Sequence, residues 1–178
     1  MALPKLNTPT YELELPSTAE KIKYRPFLVK EQKVLMMAQD SGEDQQIAEA
    51  MGNLVSSCTF GKVDAETSPM FDLEYVFLKV RGKSVGETVQ LSLICPDDEK
   101  TTVPVNLKLD DIEVQMLDNH TNEINISESV KVVFRYPLLN DMKSMDKDST
   151  DIQKVFHFLV NCMHEIHYDD DVYRRIDL

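Results

Sequence analysis

Tryptophan is absent, and glycine occurs only five times and cysteine three times in 178 residues. Each scarcity excludes a class of chemistry. So few glycines leave no Gly-rich loop to cradle a phosphate, and Gly61-Lys62 alone is not a P-loop. Cys58, Cys95 and Cys162 are widely spaced, odd in number and free of CxxC spacing. That is the pattern of reduced, small core thiols rather than of a disulfide framework. No apolar run approaches the ~20 residues that span a bilayer, and the first residues lack the apolar core of a secretory signal, so a cytoplasmic protein is expected. There is no GxSxG, and no Ser or Cys has a recognisable partner base. Bases are also scarce: 19 Lys and Arg stand against 31 Asp and Glu, a net charge of −12. The excess lies in residues 37–129, which hold eighteen acids and six bases. Such a surface repels phosphate backbones, which argues against nucleic acid and anionic membranes as partners. It suits solubility, or contact with a basic protein.

What is present is patterning. Tyr11, Leu13 and Leu15 alternate with Glu12 and Glu14, a period of two that predicts a strand with one buried face. Pro16 to Ala19 reads as a turn, and Lys21 to Arg25 returns with Ile22 and Tyr24 on one face and three bases on the other. Acids on one strand facing bases on the next favour this hairpin. After Pro26 a short, largely buried helix is expected over Lys30–Gln39, on Val34, Leu35, Met37 and Ala38. A second is expected over Glu43–Cys58, on Ile47, Met51, Leu54 and Val55.

Ser68-Pro69 opens a third helix to about Arg81. Met70, Leu73, Val76, Phe77 and Val80 form one apolar face, and Phe71, Tyr75 and Leu78 a second. The thin polar stripes Glu74/Arg81 and Asp72/Lys79 lie between them. A helix apolar on two sides is covered on two sides. It lies in the middle of the core, or Phe71, Tyr75 and Leu78 bind a partner. Beyond Gly86 an antiparallel meander is expected, with strands around Val89–Leu93, Val103–Leu109, Ile112–Met116, Ile124–Ile126 and Val130–Phe134 and acidic turns at Asp97-Asp98 and Asp110-Asp111. Pro104 marks an edge or a bulge. A short helix over Leu138–Met145 and a longer one from Ser149 or Thr150 to about His167 would complete the chain, the latter with Ile152, Phe156, Leu159, Met163 and Ile166 as core stripe. The expected fold is thus a single α+β domain over 1–178: N-terminal hairpin and helices (1–85), antiparallel meander (86–137) and a C-terminal helical part (138–178). No internal repeat stands out.

The one cluster resembling a site is His157, Asn161, Cys162, His164, Glu165 and His167, followed by three Asp. His164-Glu165-Ile166-His167 is one residue short of HExxH, and on a helix His157 and His164 would lie ~10.5 Å apart along the axis, too far to share an ion. The triple Asp lacks the spacing of an EF-hand loop. No catalytic residue, cofactor or metal is expected, and a metal-dependent hydrolase built on the three histidines is a remote alternative.

The opening MALPKLNTPTYELELPST, followed by KIKYRPFLVKEQKVLMMA, resembles the baseplate hub and hub-assembly protein family of T-even-type contractile-tailed phages. The similarity continues through the apolar run Phe71–Val80 and the strands after it. It implies a non-enzymatic protein of phage tail morphogenesis, a chaperone-like assembly factor for the baseplate hub acting in the host cytoplasm. The alternative is a structural hub subunit retained in the virion tail. Its partners would be other hub proteins, with a homo-oligomer also compatible. Family members run on past a point like Leu178 into further helix.

Overall fold

The computed structural model describes residues 8–143 and 150–174. It is a mixed α+β fold in which the chain divides into two compact units, one of residues 1–65 with 71–114 and the other of 66–70 with 115–178.

In the first unit β1 (Tyr11–Glu14) and β2 (Lys21–Tyr24) form the expected antiparallel hairpin, with Glu12 opposite Lys23 and Glu14 opposite Lys21. Leu15, Ile22 and Tyr24 supply its buried face. Then follow α1 (Val29–Ser41), α2 (Asp44–Cys58) and α3 (Met70–Val85). The core gathers Leu54, Val55 and Cys58 of α2, Val63 of the connector, and Leu73, Val76 and Val80 of α3. Helix α1 departs from expectation. Only Ala38 is buried, while Val34, Met36 and Met37 are each more than half exposed (56%, 55% and 62%). Its apolar residues are spread around the helix instead of forming one stripe, so one contact cannot cover them all.

The thin stripe Asp72/Lys79 of α3 is not a solvated seam. Asp72 is 2% exposed and accepts from the backbone N–H and the hydroxyl of Ser17, in the turn between β1 and β2. The Lys79 ammonium donates to the carbonyls of Leu109, Asp110 and Ile112 (3.4, 2.9 and 3.3 Å) and lies 5.0 Å from the centre of the Tyr75 ring. Burying these groups is tolerable because each is paired.

β3 (Thr88–Ile94) and β4 (Thr102–Lys108) make a two-stranded ribbon. Its turn is held by Asp98, whose carboxylate accepts from Thr101 and Lys100; the Thr101 hydroxyl above all keeps its pKa down to about 2. A 3-10 turn (Leu109–Asp111) follows, and Ile112–Met116 forms no strand. Lys79 holds the Ile112 carbonyl, the first of this segment, and those of Leu109 and Asp110 just before it. The expected meander is therefore divided between two sheets.

The second unit pairs β5 (Glu123–Asn125) with β6 (Val130–Phe134), followed by α4 (Leu139–Lys143) and α5 (Asp151–Cys162). Thr150 caps α5 in a reciprocal capping box with Gln153. Residues 144 and 145 of the helix expected after Leu138, and the alternative cap Ser149, lie outside the described residues. Contrary to expectation α5 stops at Cys162, and the chain continues as β7 (Met163–Tyr168) and β8 (Asp171–Arg174), giving the sheet order β5-β6-β7-β8. The cause is local. The carbonyls of Asn161 and Cys162, which a further helical turn would use, accept from the side chain and the backbone of Arg135. β6 also offers β7 a ladder, with Val132 opposite Ile166. The supposed core stripe is overturned as well: Ile152, Phe156 and Leu159 are exposed at 71%, 65% and 46%.

An internal repeat, invisible to composition and periodicity, emerges from the contacts. In each unit the second hairpin strand ends in an Arg that bonds to an acid six residues on and to the end of the second helix. Arg25 donates to both carboxylate oxygens of Glu31 (3.0 and 2.7 Å) and to the carbonyl of Ser57, and its backbone N–H donates to the Cys58 carbonyl. Arg135 donates to both oxygens of Asp141 (2.7 and 2.8 Å) and to the carbonyl of Asn161, and its N–H donates to the Cys162 carbonyl. In each copy the acid also accepts from a leucine N–H three residues before it, Leu28 in one and Leu138 in the other. The sequences KIKYR-PFLVKE (21–31) and KVVFRYPLLND (131–141) are its trace.

Candidate interaction surfaces

The residues singled out for chemistry do not converge. His157 lies on α5 and His164 and His167 on β7, where an odd separation places the latter two on opposite faces of the strand. His167 instead meets Glu165 (3.2 Å), which also accepts from Arg174 (3.1 Å). Among the described residues no group of three or more His, Cys, Asp or Glu is placed to hold a metal ion. Cys58 and Cys162 are buried and Cys95 is half-buried. Asn161 is buried, and its backbone carbonyl completes the second Arg clamp.

Phe71, Tyr75 and Leu78 are each half-buried. They flank the buried Asp72 and Lys79, so this side of α3 lies against its own unit more closely than the polar stripes suggested. Burial pushes the Tyr75 phenol above its ordinary pKa.

Larger apolar surfaces lie elsewhere. On the ribbon the register sets Val89 opposite Leu107, Leu91 opposite Val105 and Leu93 opposite Val103, so all six face one way. Leu91, Leu93, Val103, Val105 and Leu107 are 41%, 52%, 49%, 37% and 38% exposed. At the ribbon ends Cys95 N–H donates to Thr101 and Leu109 N–H to Glu87. The alternation these bonds set puts Pro104, opposite Ser92, where an N–H would point away from β3. Pro104 thus blunts the outer edge of β4 and leaves the edge of β3 open. The second surface is the apolar face of α5.

The sequence did not point to a cleft of about 590 Å³ in the second unit, lined by His120, Phe134, Tyr136 and His164 among others. There the His120 ring stacks on Tyr136 with centroids 5.7 Å apart. His120 falls in a segment whose only visible pattern is polarity.

No helix is long and apolar enough to cross a membrane among the described residues. No curated protein and no solved structure gives a match to this chain. A family model does, over residues 8–178, and it spans both Arg clamps, the ribbon and α5: the chain belongs to the T4 bacteriophage base plate protein family.

Proposed function

We propose that this baseplate protein is a non-enzymatic, chaperone-like assembly factor for the baseplate hub, one that binds other hub proteins through apolar surfaces. The observation that carries this reading is the ribbon: six apolar side chains aligned on one face, five of them exposed, beside an open strand edge. A face of this kind is stable in solution only while the rest of the molecule keeps it dispersed, and a charge of −12 does so. It is suited to cover a partner's apolar surface, with β3 adding a strand to the partner's sheet. Phe71, Tyr75 and Leu78 are proposed as a lesser contributor.

The alternative, a structural subunit retained in the tail, is favoured by the same surfaces, since several exposed apolar faces on one chain also fit permanent burial. Quantitative mass spectrometry of infected-cell lysate against purified mature particles separates the two. Abundance in lysate with none in particles supports the assembly factor; a fixed copy number per particle makes it a structural subunit. Leu91→Ser with Val105→Ser should abolish association with hub proteins and leave melting nearly unchanged. Phe71→Ser with Leu78→Ser should weaken it less, and a collapsed fold in that variant would assign the patch to the core.

A further inference from the structure

We infer that the outer edge of β2, at Lys21 and Lys23, is a docking site for one extended segment of another protein. The segment adds antiparallel as a further strand, with acids opposite the two lysines, and takes the place on β2 that β7 takes on β6. The inference rests on the protein-binding reading above but on an edge other than the ribbon's, and it names the occupant.

The internal repeat supplies the argument. Aligning Arg25 with Arg135 sets Lys21 against Lys131, Ile22 against Val132 and Lys23 against Val133. Ile22 and Val132 are both buried, so the two strands turn the same face inward. Their hydrogen bonds also alternate alike. The Leu15 N–H donates to the Glu20 carbonyl, which fixes Ile22 and Tyr24 as the residues bonded to β1. The Phe134 N–H donates to the Asn122 carbonyl, which fixes Val132 and Phe134 as those bonded to β5. The backbone groups of Lys21, Lys23, Lys131 and Val133 therefore point to the other side. So do the Arg25 and Arg135 N–H groups, which reach the carbonyls of Cys58 and Cys162 there.

On β6 that outer side is filled. The chain is extended at Met163, and β7 runs back along β6 with Glu165 opposite Val133, Ile166 opposite Val132 and His167 opposite Lys131. On β2 the same ladder starts with the bond between Arg25 and Cys58 and goes no further. Phe60 and Gly61, at φ 58° and 75°, break the extended course. Among the described residues no backbone bond reaches the outer side of Lys21 or Lys23. An edge of this kind takes a strand.

The side chains select which strand. Both lysines are exposed, and the Lys23 side chain stays 69% exposed although Glu12 lies 3.7 Å away. Residues 1–36 hold six bases against four acids, the reverse of the balance in 37–129. Lysines on a short edge repel basic strands, and cross-strand pairing favours acids opposite them. Between those acids an apolar residue would continue the buried face at Ile22, as Ile166 does at Val132. The required pattern is acid–apolar–acid.

The test places a photocrosslinking benzoylphenylalanine in the full chain, produced during infection. It is placed at position 21, at position 12 on β1, which β2 separates from the edge, and at position 91 on the ribbon. A crosslink from 21 but not from 12, mapped to an acid–apolar–acid segment of another protein, supports the inference. It should fall at least tenfold in Lys23→Glu and less in Lys23→Gln, with the melting of both matching the parent. Crosslinking of 21 to residues 1–7 of the same chain, to a second copy, or to a segment without acids overturns it. A crosslink from 91 with none from 21 also overturns it, and leaves the broader reading standing. Silence at both 91 and 21 removes both. Amide exchange in the isolated full chain is a check that needs no variant. The Lys23 amide should exchange at least tenfold faster than those of Ile22 and Tyr24; equal protection would show that the edge is already covered, and the proposal would fall.

Discussion

Arg25 and Arg135 hold the same position in two copies of one clamp, each gripping an acid six residues on and the carbonyl just before a helix-ending cysteine. The fork geometry of guanidinium explains the choice of residue. One planar group bridges a carboxylate through two parallel bonds and still has donors for the backbone, which an ammonium on a flexible stem does not do. Each clamp ties the hairpin strand, the start of one helix and the end of the next together at a single point.

Removing either Arg should therefore cost more than a surface ion pair would. The Arg25 and Glu31 side chains are only 13% and 11% exposed, and those of Arg135 and Asp141 are 27% and 7% exposed. Arg25→Ala and Arg135→Ala are each expected to lose about 2–4 kcal/mol, since each strands a largely buried carboxylate. Urea unfolding followed by circular dichroism measures this, with Arg→Lys recovering less than half. A loss under about 0.5 kcal/mol would reduce the clamp to an ordinary surface pair.

The first clamp also makes stability depend on acid. The Arg25 hydrogen bonds hold the Glu31 carboxyl below its ordinary range, burial opposes them in part, and the Leu28 N–H adds to the lowering. A group whose folded pKa is depressed contributes stability above its unfolded pKa, ~4.3 for Glu. That contribution is lost as pH falls through the folded value. Unfolding free energy should decline as pH drops below about 5, and Glu31→Gln should flatten that slope while lowering stability at pH 7. A pH profile parallel to that of the parent would remove Glu31 from the account.

Periodicity made the local elements legible wherever burial followed them. The Glu12–Lys23 hairpin, α2 and the six-residue apolar ribbon face all follow from alternation or from helical spacing. It failed where a long-range polar contact decided the outcome. Asp72 and Lys79 read only as a thin polar stripe between two apolar faces, because nothing local reveals Ser17 or the carbonyls of residues 109, 110 and 112 as partners. The repeat was hidden because its determinants are an Arg, an acid six residues on and a cysteine 27 or 33 residues away, with unlike side chains between. The end of α5 was missed for the same reason, since Arg135 consumes its last carbonyls. The apolar stripe of α5 was recognised, but its exposure was not, because periodicity identifies a face and not what covers it.

Thiol reactivity gives a separate check on the core. Burial pushes the Cys58 thiol up to about 11, with the Arg25 guanidinium only partly opposing it, and the residue is 0% exposed. With an aromatic disulfide reagent at pH 8, half-buried Cys95 should react first, and Cys58 and Cys162 only after unfolding. In Arg25→Ala the protection of Cys58 should fall while that of Cys162 persists, because their clamps are separate. Equal labelling of all three thiols in the native protein would contradict this burial.

Lys79 offers the sharpest test of a single side chain. Its ammonium gathers three backbone carbonyls from the segment that leads out of the ribbon. Lys79→Met keeps much of the side-chain volume but leaves those carbonyls without their donor, at an expected cost of about 2–3 kcal/mol. The loss should be local. Amide exchange over residues 109–114 should speed up strongly, while that of β1 and β2 changes little. Released carbonyls would also free Ile112–Met116 to extend along a partner's strand, so ribbon-dependent association should persist in this variant even as the segment loosens. If association disappears together with the exchange protection, the route from α3 to the ribbon is part of the binding surface itself and not merely its support.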